Sequence, residues 1–326
     1  ASQVIGFAND NGGSMGLEAT YNDELTGENG MVVTARDRDG RSVLYQYDQY
    51  FDAENGCDLH TTLDTTIQYY LEKGVQELEA RFGTGKGATG IVMDVNTGEI
   101  KAMATLGSYD PNNYLEIYDD TTALLLENER AAALALPEAS AAYEAAIETY
   151  KQDVAAARMA QWRNRCVSDG YEPGSTFKLI TLASALDSGA VTLNDSFYCG
   201  GQEKFTGREQ ILNCWKSAGH GAQTTAQALG NSCNIAFGHI GLRMGGDTFY
   251  DYLKSFGVME KTGVDLPGEA SGLFYERKYL NDPANYGTSY LITSSFGQSF
   301  RITPMQLVRA VAAIVNGGYV LEPYIV

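Results

Sequence analysis

The fold is decided by the stretch YEPGSTFKLITLASAL, residues 171–186, in which a turn leads directly into a helical pattern. Pro173 and Gly174 predict the turn, and Ser175 then falls in the first turn of a helix, close to backbone N–H groups that can stabilise an oxyanion. Lys178 follows at the i+3 position, on the same helix face as the serine hydroxyl. A partly desolvated lysine there can lose its proton and take one from serine. The stretch therefore predicts a serine–lysine nucleophile pair; the alternative is a capping serine followed by a surface lysine.

A second polar cluster, GNSCNIAF at residues 230–237, contains an S-x-N triplet. Alternation in a short loop would turn the Ser232 and Asn234 side chains the same way and Cys233 the other way. A hydroxyl there can relay a proton, and an amide can hold a peptide carbonyl of a substrate. An S-x-x-K motif alone is common by chance, whereas the two motifs in this order are far rarer. The candidate catalytic residues are Ser175, Lys178 and Ser232, and the candidate substrate-binding residue is Asn234.

The composition narrows the classes of function. Lys and Arg total 23 against 41 Asp and Glu, a formal net charge of −18, which repels nucleic-acid phosphates and anionic lipid head groups. Nucleic acid is therefore not expected as a partner. No stretch reaches the roughly 18 consecutive apolar residues of a membrane helix, and the start lacks the features of a signal peptide. We expect a soluble globular chain of ordinary composition.

The cysteines leave two interpretations open. They are Cys57, Cys166, Cys199, Cys214 and Cys233. They form no C-x-x-C pair and only three histidines accompany them, so neither a zinc site nor any other metal is indicated. Cys199 and Cys214 bracket the polar loop CGGQEKFTGREQILNC, which a disulfide could close in an oxidising compartment. Two separate thiols are the alternative.

Other segments predict the elements around these motifs. Residues 1–56 are rich in Gly, Asn and Asp and carry the strand-like runs MVVTA and SVLYQY. Residues 63–82 predict an amphipathic helix capped by Asp64, and GIVMDVNTGEIKAMAT predicts two strands of a central antiparallel sheet. The Ala-rich, acidic segment 113–161 is broken by Pro137 and predicts a helical hairpin with arms of roughly 20 residues. The rest of the chain alternates helices and loops.

Four segments of this sequence resemble the transpeptidase domain of class B penicillin-binding proteins, especially the sporulation- and division-type members. They are WRNRCVSDGYEPGSTFK, GNSCNIAF, FGVMEKTGVDLPGE and SSFGQSFRITPMQ. The resemblance implies an α/β (α+β) fold of the penicillin-binding protein and β-lactamase type, with helices covering an antiparallel sheet. It also implies that residues 1–56 end a β-rich N-terminal pedestal and that residues 57–326 form the transpeptidase domain, with a helical insertion at 113–161.

The resemblance further implies a peptidoglycan D,D-transpeptidase reaction. Ser175 would attack the penultimate carbonyl of a D-Ala-D-Ala stem peptide, expel D-Ala and form an acyl-enzyme, which the amine of a neighbouring stem then attacks to give a cross-link. Lys178 would be the base toward Ser175, Ser232 would pass the proton to the leaving nitrogen, and Asn234 would orient the acyl chain. β-Lactams would acylate the same serine. No metal or organic cofactor is implied.

Partners and location follow from the same resemblance. The implied partners are the peptidoglycan stem peptide on its lipid-linked precursor, β-lactam antibiotics, a membrane glycosyltransferase, and divisome or sporulation proteins. The implied location is the extracytoplasmic face of the bacterial cell membrane, with the parent protein anchored by an N-terminal helix that this chain lacks.

The third motif of that family, K-T-G, occurs here as Lys261-Thr262-Gly263 in a place that predicts a loop. It follows a helix and runs into Val-Asp-Leu-Pro-Gly, whereas the functional motif lies on a sheet strand. We therefore expect Lys261 not to be catalytic and the functional strand to lie beyond Val326, which makes the chain a fragment with impaired activity. The alternatives are a serine β-lactamase, which must activate a deacylating water, and a non-enzymatic β-lactam sensor or cell-wall scaffold.

Overall fold

The computed structural model describes residues 1–33, 49–85, 87–138, 140–282 and 286–326. Its helices are α1 (Ser2–Ile5), α2 (Gly16–Thr20), α3 (Asn22–Leu25), α4 (Thr65–Phe82), α5 (Asp120–Leu134), α6 (Ala141–Trp162), α7 (Arg165–Ser168), α8 (Lys178–Asp187), α9 (Thr225–Gly230), α10 (Asn234–Met244), α11 (Gly246–Ser255), α12 (Arg277–Leu280), α13 (Gly287–Ser294) and α14 (Pro304–Val315), with 3₁₀ turns at Pro111–Asn113 and Gly174–Phe177. Its strands are β1 (Phe7–Asn9), β2 (Gly12–Met15), β3 (Met31–Val33), β4 (Gln49–Phe51), β5 (Thr89–Met93), β6 (Ile100–Thr105), β7 (Ser196–Cys199), β8 (Gln202–Glu203), β9 (Leu212–Asn213) and β10 (Gly221–Thr224). Within the described residues the strands pair antiparallel, as β1–β2, β3–β4, β5–β6, β7–β10 and β8–β9. This mixture of helices and antiparallel strands confirms the predicted α/β (α+β) class.

The α4 helix and the β5–β6 hairpin form one unit, as the sequence predicts. The Asp64 carboxylate accepts hydrogen bonds from the first backbone N–H groups of α4, which is the predicted cap. The side-chain amide of Gln68 donates to the backbone oxygen of Met103 at 2.9 Å, and the Met103 N–H donates back to Gln68 Oε1 at 2.9 Å. A helix is thereby joined to the middle of β6 through a buried polar pair. In the described residues this sheet is the two-stranded hairpin, with a parallel bridge from Glu99 to Tyr324 beside it.

The helices of the second half surround α8. Phe177 and Ile180 are fully buried and lie in one apolar core with Phe237 and Ile240 of α10 and Ile292 of α13. Burial of one side chain of this size contributes about 1.5–3 kcal/mol to the stability of the fold, before the cost in conformational entropy is subtracted. The core therefore fixes α8, and with it the S-x-x-K motif, against α10, which begins at the last residue of the S-x-N triplet.

The Ala-rich segment forms the predicted helical hairpin. Its arms are α5 and α6, of 15 and 22 residues, with Pro137 in the connection between them. The indole N–H of Trp162 donates to the Tyr114 backbone oxygen at 2.9 Å, and Arg158 Nε donates to the Leu115 oxygen at 2.7 Å. These bonds hold the second arm against the start of the insertion.

The N-terminal residues share a second core with the rest of the chain. Val4 and Leu17 are buried together with Ile100, Met305 and Ile325. The MVVTA run gives strand β3, whereas SVLYQY lies outside the described residues. The proposed pedestal boundary near residue 56 stays a prediction. None of the helices in the described part of the chain combines the length and apolar character needed to cross a membrane.

Candidate active site

Ser175 lies in the 3₁₀ turn that leads into α8, with its side chain exposed to solvent. The turn is fixed from both sides: the Gly174 N–H donates to the Gly297 oxygen at 2.8 Å, and the Phe177 ring is buried edge-on against Phe300, with ring centroids 4.7 Å apart. Ser175 therefore lies on a turn that is held by these contacts, beside the N-terminal N–H groups of a helix.

Gly297 lies against the turn that contains Ser175, and its local sequence gives no sign of this contact. Its φ is +82°, and a Cβ placed there would lie 2.1 Å from the Gly174 backbone oxygen. Only glycine allows the backbone of this loop to approach the turn that contains Ser175 so closely. The quoted segment SSFGQSF contains this glycine, but a close approach between distant backbones is not visible in local sequence.

Lys178 brings the two motifs together. Its Nζ lies 3.2 Å from Ser175 Oγ, 3.0 Å from Ser232 Oγ, 2.7 Å from the Ser232 backbone oxygen and 2.8 Å from Asn234 Oδ1. An ammonium has three hydrogens to donate and four oxygens surround it here. A neutral amine donates two bonds and offers its lone pair to a hydroxyl, so this arrangement suits a lysine that accepts the Ser175 proton.

Burial favours that neutral form. The Lys178 side chain is 0 % exposed, and burial lowers its pKa from 10.5 to about 8, although the nearby Cys233 and Cys214 thiols, when ionised, would oppose the shift. The Phe237 ring, with its centroid 5.4 Å from Nζ, favours the charged form in the same sense as the thiolates. Desolvation is the larger influence, and it places the pKa where a general base can work near neutral pH.

The S-x-N triplet is held in an uncommon backbone conformation. Ser232 has φ of +49°, a left-handed value that costs a residue with a side chain of the order of 1–3 kcal/mol. This conformation presents both its hydroxyl and its carbonyl to Lys178, while Asn234 begins α10 and Cys233 is fully buried. The structure thus brings together all four predicted site residues, with Cys233 turned away from them.

The Lys261-Thr262-Gly263 stretch is a loop, as predicted. The Thr262 N–H and hydroxyl both donate to Glu269 Oε1 at 2.6 Å, and the Gly263 N–H donates to Glu269 Oε2 at 3.2 Å. Thr262 is 2 % exposed, and the loop continues into the second core through Val264. The polar groups of this stretch are therefore used to close the loop on itself.

The cysteines require a correction. All five are free thiols, so of the two interpretations left open the structure has separate thiols, and the possible Cys199–Cys214 disulfide is not formed. Cys214 Sγ instead lies 4.0 Å from Cys233 Sγ and 3.6 Å from His220 Nδ1. With Cys199 these residues form a group of three thiols and one imidazole that could hold a metal ion. No metal was indicated by the sequence because the cysteines lack C-x-x-C spacing, whereas the fold gathers these four side chains from separated segments.

Comparisons with known proteins place this geometry in a family. The model for the penicillin binding protein transpeptidase domain matches residues 88–326. Stage V sporulation protein D of Bacillus subtilis is 35 % identical over 99 % of this chain and 43 % of its own length. Peptidoglycan D,D-transpeptidase MrdA of Salmonella typhimurium is 29 % identical over 98 % of this chain and 45 % of its own length. The chain thus spans less than half of either relative.

A solved structure agrees with this placement at the level of the fold. It is penicillin binding protein 3 of Mycobacterium tuberculosis, complexed with aztreonam. The match covers 100 % of this chain and 58 % of the other chain, with a TM-score of 0.71 and 24 % sequence identity. The match to the family model extends over both motifs and the helices that position them. The chain therefore belongs to the transpeptidase family of class B penicillin-binding proteins.

Proposed function

We propose that this chain carries the acylation site of a peptidoglycan D,D-transpeptidase, with Ser175 as nucleophile. The observation that supports the proposal is the buried Lys178 amine, which contacts Ser175 on one side and Ser232 and Asn234 on the other. One nitrogen within hydrogen-bonding distance of the nucleophile and of a second hydroxyl provides a path for a proton in both directions. MrdA, a relative over almost the whole chain, is named a peptidoglycan D,D-transpeptidase.

In the first half-reaction Lys178 takes the hydroxyl proton as Ser175 Oγ attacks the penultimate carbonyl of the D-Ala-D-Ala end. The N-terminal N–H groups of the nucleophile turn stabilise the oxyanion. The tetrahedral intermediate collapses as the C–N bond breaks, and the proton passes from Lys178 through the Ser232 hydroxyl to the departing D-Ala nitrogen. An ester on Ser175 remains, and the Asn234 amide orients its acyl chain.

In the second half-reaction the amine of a neighbouring stem peptide attacks the ester carbonyl. The proton it loses returns through Ser232 and Lys178 to Ser175 Oγ, which leaves as the new amide bond forms. The site ends in its starting state, and the product is a cross-link. A β-lactam carries the same reactive amide in a ring, so opening of the ring would leave it bound as an ester on Ser175.

The hydrogen-bond partners of the site residues disfavour a serine β-lactamase. The hydrogen-bond partners that the described residues supply to Ser175, Lys178 and Ser232 are hydroxyls, an amide and backbone oxygens, and no carboxylate is among them. Water activation for deacylation would need such a base. A long-lived acyl-enzyme is the expected result with a β-lactam.

The proposed location and partner proteins follow from the proposed substrate. Peptidoglycan precursors carried on lipid place the reaction at the extracytoplasmic face of the cell membrane, where a glycosyltransferase supplies the glycan strand. The relative named for stage V of sporulation supports a role in sporulation or division complexes.

Intact-mass analysis after incubation with benzylpenicillin tests the proposal. A single adduct equal to the mass of the intact antibiotic is expected on the wild type and on Ser255→Ala, an exposed serine at the end of α11, and none on Ser175→Ala. Incubation with a stem pentapeptide and an amine acceptor then separates an enzyme, which releases D-Ala, from a sensor, which only becomes acylated. An adduct that persists on Ser175→Ala would contradict the proposal.

A further inference from the structure

Three thiols and an imidazole meet directly behind the catalytic loop. Cys199 ends strand β7, Cys214 follows β9, His220 precedes β10, and Cys233 is the middle residue of the S-x-N triplet. Their ligand atoms all lie within 4.8 Å of one another. The pairing of Cys199 with Gly221 in the β7–β10 ladder sets the first ligand beside His220.

The distances suit a tetrahedral metal. Zinc–sulfur bonds of about 2.3 Å and zinc–nitrogen bonds of about 2.0 Å place tetrahedral sulfur atoms about 3.8 Å apart and sulfur about 3.5 Å from nitrogen. The Cys214–Cys233 and Cys214–His220 distances are 4.0 and 3.6 Å. A metal therefore needs only small shifts of these side chains.

The three sulfur atoms are shielded from solvent, as in structural metal sites. Cys199, Cys214 and Cys233 are each at most 6 % exposed, while His220 is half-buried and contacts the Trp215 ring edge-on, with ring centroids 5.4 Å apart. Four protein ligands leave no open position for a water or substrate. A sulfur-rich set with one imidazole favours zinc over the hard cations magnesium and calcium.

We propose that Cys199, Cys214, His220 and Cys233 bind one Zn²⁺ ion that holds the S-x-N loop in place. Binding releases the thiol protons to solvent and leaves three thiolates and a neutral imidazole on the metal. Because Cys233 lies between Ser232 and Asn234, a metal that fixes its sulfur also fixes the two side chains that contact Lys178. This consequence for catalysis rests on the proposed function; the metal site itself does not.

The zinc content of the full chain is the direct test. The protein is purified with a thiol reductant but without chelator and analysed by mass spectrometry of metals, and about one zinc per chain is expected. Cys57→Ser, an exposed cysteine, and Cys166→Ser, a buried cysteine outside the group, are matched controls that keep the metal. Cys199→Ser removes the ligand on β7, outside the S-x-N triplet, and is expected to lose the metal.

Cobalt exchange keeps the test independent of variant folding. Wild-type protein exchanged with Co²⁺ is expected to show sulfur-to-metal charge transfer and the intense visible bands of a tetrahedral thiolate site. Folded wild type that takes up neither zinc nor cobalt would overturn the proposal, as would a Cys214–Cys233 disulfide that persists in reductant and zinc.

The catalytic consequence is measured separately. Ser175→Ala is expected to retain zinc, so loss of acylation and loss of metal remain distinguishable. Chelation of the wild type is expected to slow acylation by benzylpenicillin at least tenfold, with recovery on adding Zn²⁺. If zinc-free protein were acylated at the same rate as the zinc-bound protein, the proposal that the metal supports catalysis through the S-x-N loop would be refuted.

Discussion

The pKa of Lys178 makes the pH dependence of acylation calculable. Burial disfavours the charged form and lowers the pKa to about 8, and only the neutral amine can accept the Ser175 proton. For a base of that pKa, about 1 % is neutral at pH 6, about 10 % at pH 7 and half at pH 8. The acylation rate constant should therefore rise about 50-fold between pH 6 and pH 8 and level off above pH 9.

The assay is stopped-flow acylation by a fluorescent penicillin under second-order conditions, with circular dichroism at each pH to confirm that the chain stays folded. Lys178→Met, which keeps an unbranched side chain of similar length, should lose about 10²–10⁴ in rate and the pH dependence with it. A lysine with the ordinary pKa of 10.5 would still be gaining rate at pH 10. A profile that rises steadily beyond pH 9.5, or one that is flat from pH 6, would refute the reasoning.

Three further predictions concern other positions of the chain. Gly297→Ala places a Cβ 2.1 Å from the Gly174 oxygen at a φ of +82°, so we expect a lower thermal midpoint and slower acylation than in the wild type; a variant equal in both would show that the loop tolerates the side chain. Asp64→Ala removes the cap of α4 and should lower the free energy of unfolding in urea by about 1 kcal/mol, whereas the exposed Asp58→Ala should not; equal values for the two variants would contradict the cap assignment. Lys261→Ala should leave the acylation rate unchanged, and a drop of tenfold or more would return that K-T-G stretch to the active site.

Features encoded by neighbouring residues were predictable from the sequence. The spacing of Ser175 and Lys178 follows from helical geometry, and Asp64 is predictable as a cap because apolar residues at helical spacing follow it. The β5–β6 hairpin was predictable because a turn sequence separates two apolar runs. The K-T-G stretch was assigned to a loop because its proline and glycine neighbours do not suit a strand. In each case the deciding interactions lie within a few residues along the chain.

Features built from distant segments were not predictable in this way. The cysteine and histidine group joins residues from two strand pairs and the S-x-N loop, and each residue taken alone looks like an ordinary buried or half-buried side chain. The approach of Gly297 to Gly174 likewise depends on how two loops cross. Sequence spacing suggested a pair, Cys199 with Cys214, whereas packing places Cys214 within 4.0 Å of Cys233.

The left-handed backbone at Ser232 explains why the neighbouring residue, Cys233, is important for the conformation of the S-x-N loop. A left-handed serine costs of the order of 1–3 kcal/mol and persists only where its surroundings hold it. The bonds from Lys178 to its hydroxyl and carbonyl supply part of that restraint, but they are stronger when Lys178 is charged than when it is neutral, so they change as the proton moves. Restraints that stay constant through the cycle come from the backbone bonds of Ser232 to Leu229 and of Cys233 to Ala228, and from the opposite face of the loop, where the buried Cys233 side chain lies. A metal bond at that sulfur would hold Ser232 and Asn234 in position while the proton moves past them.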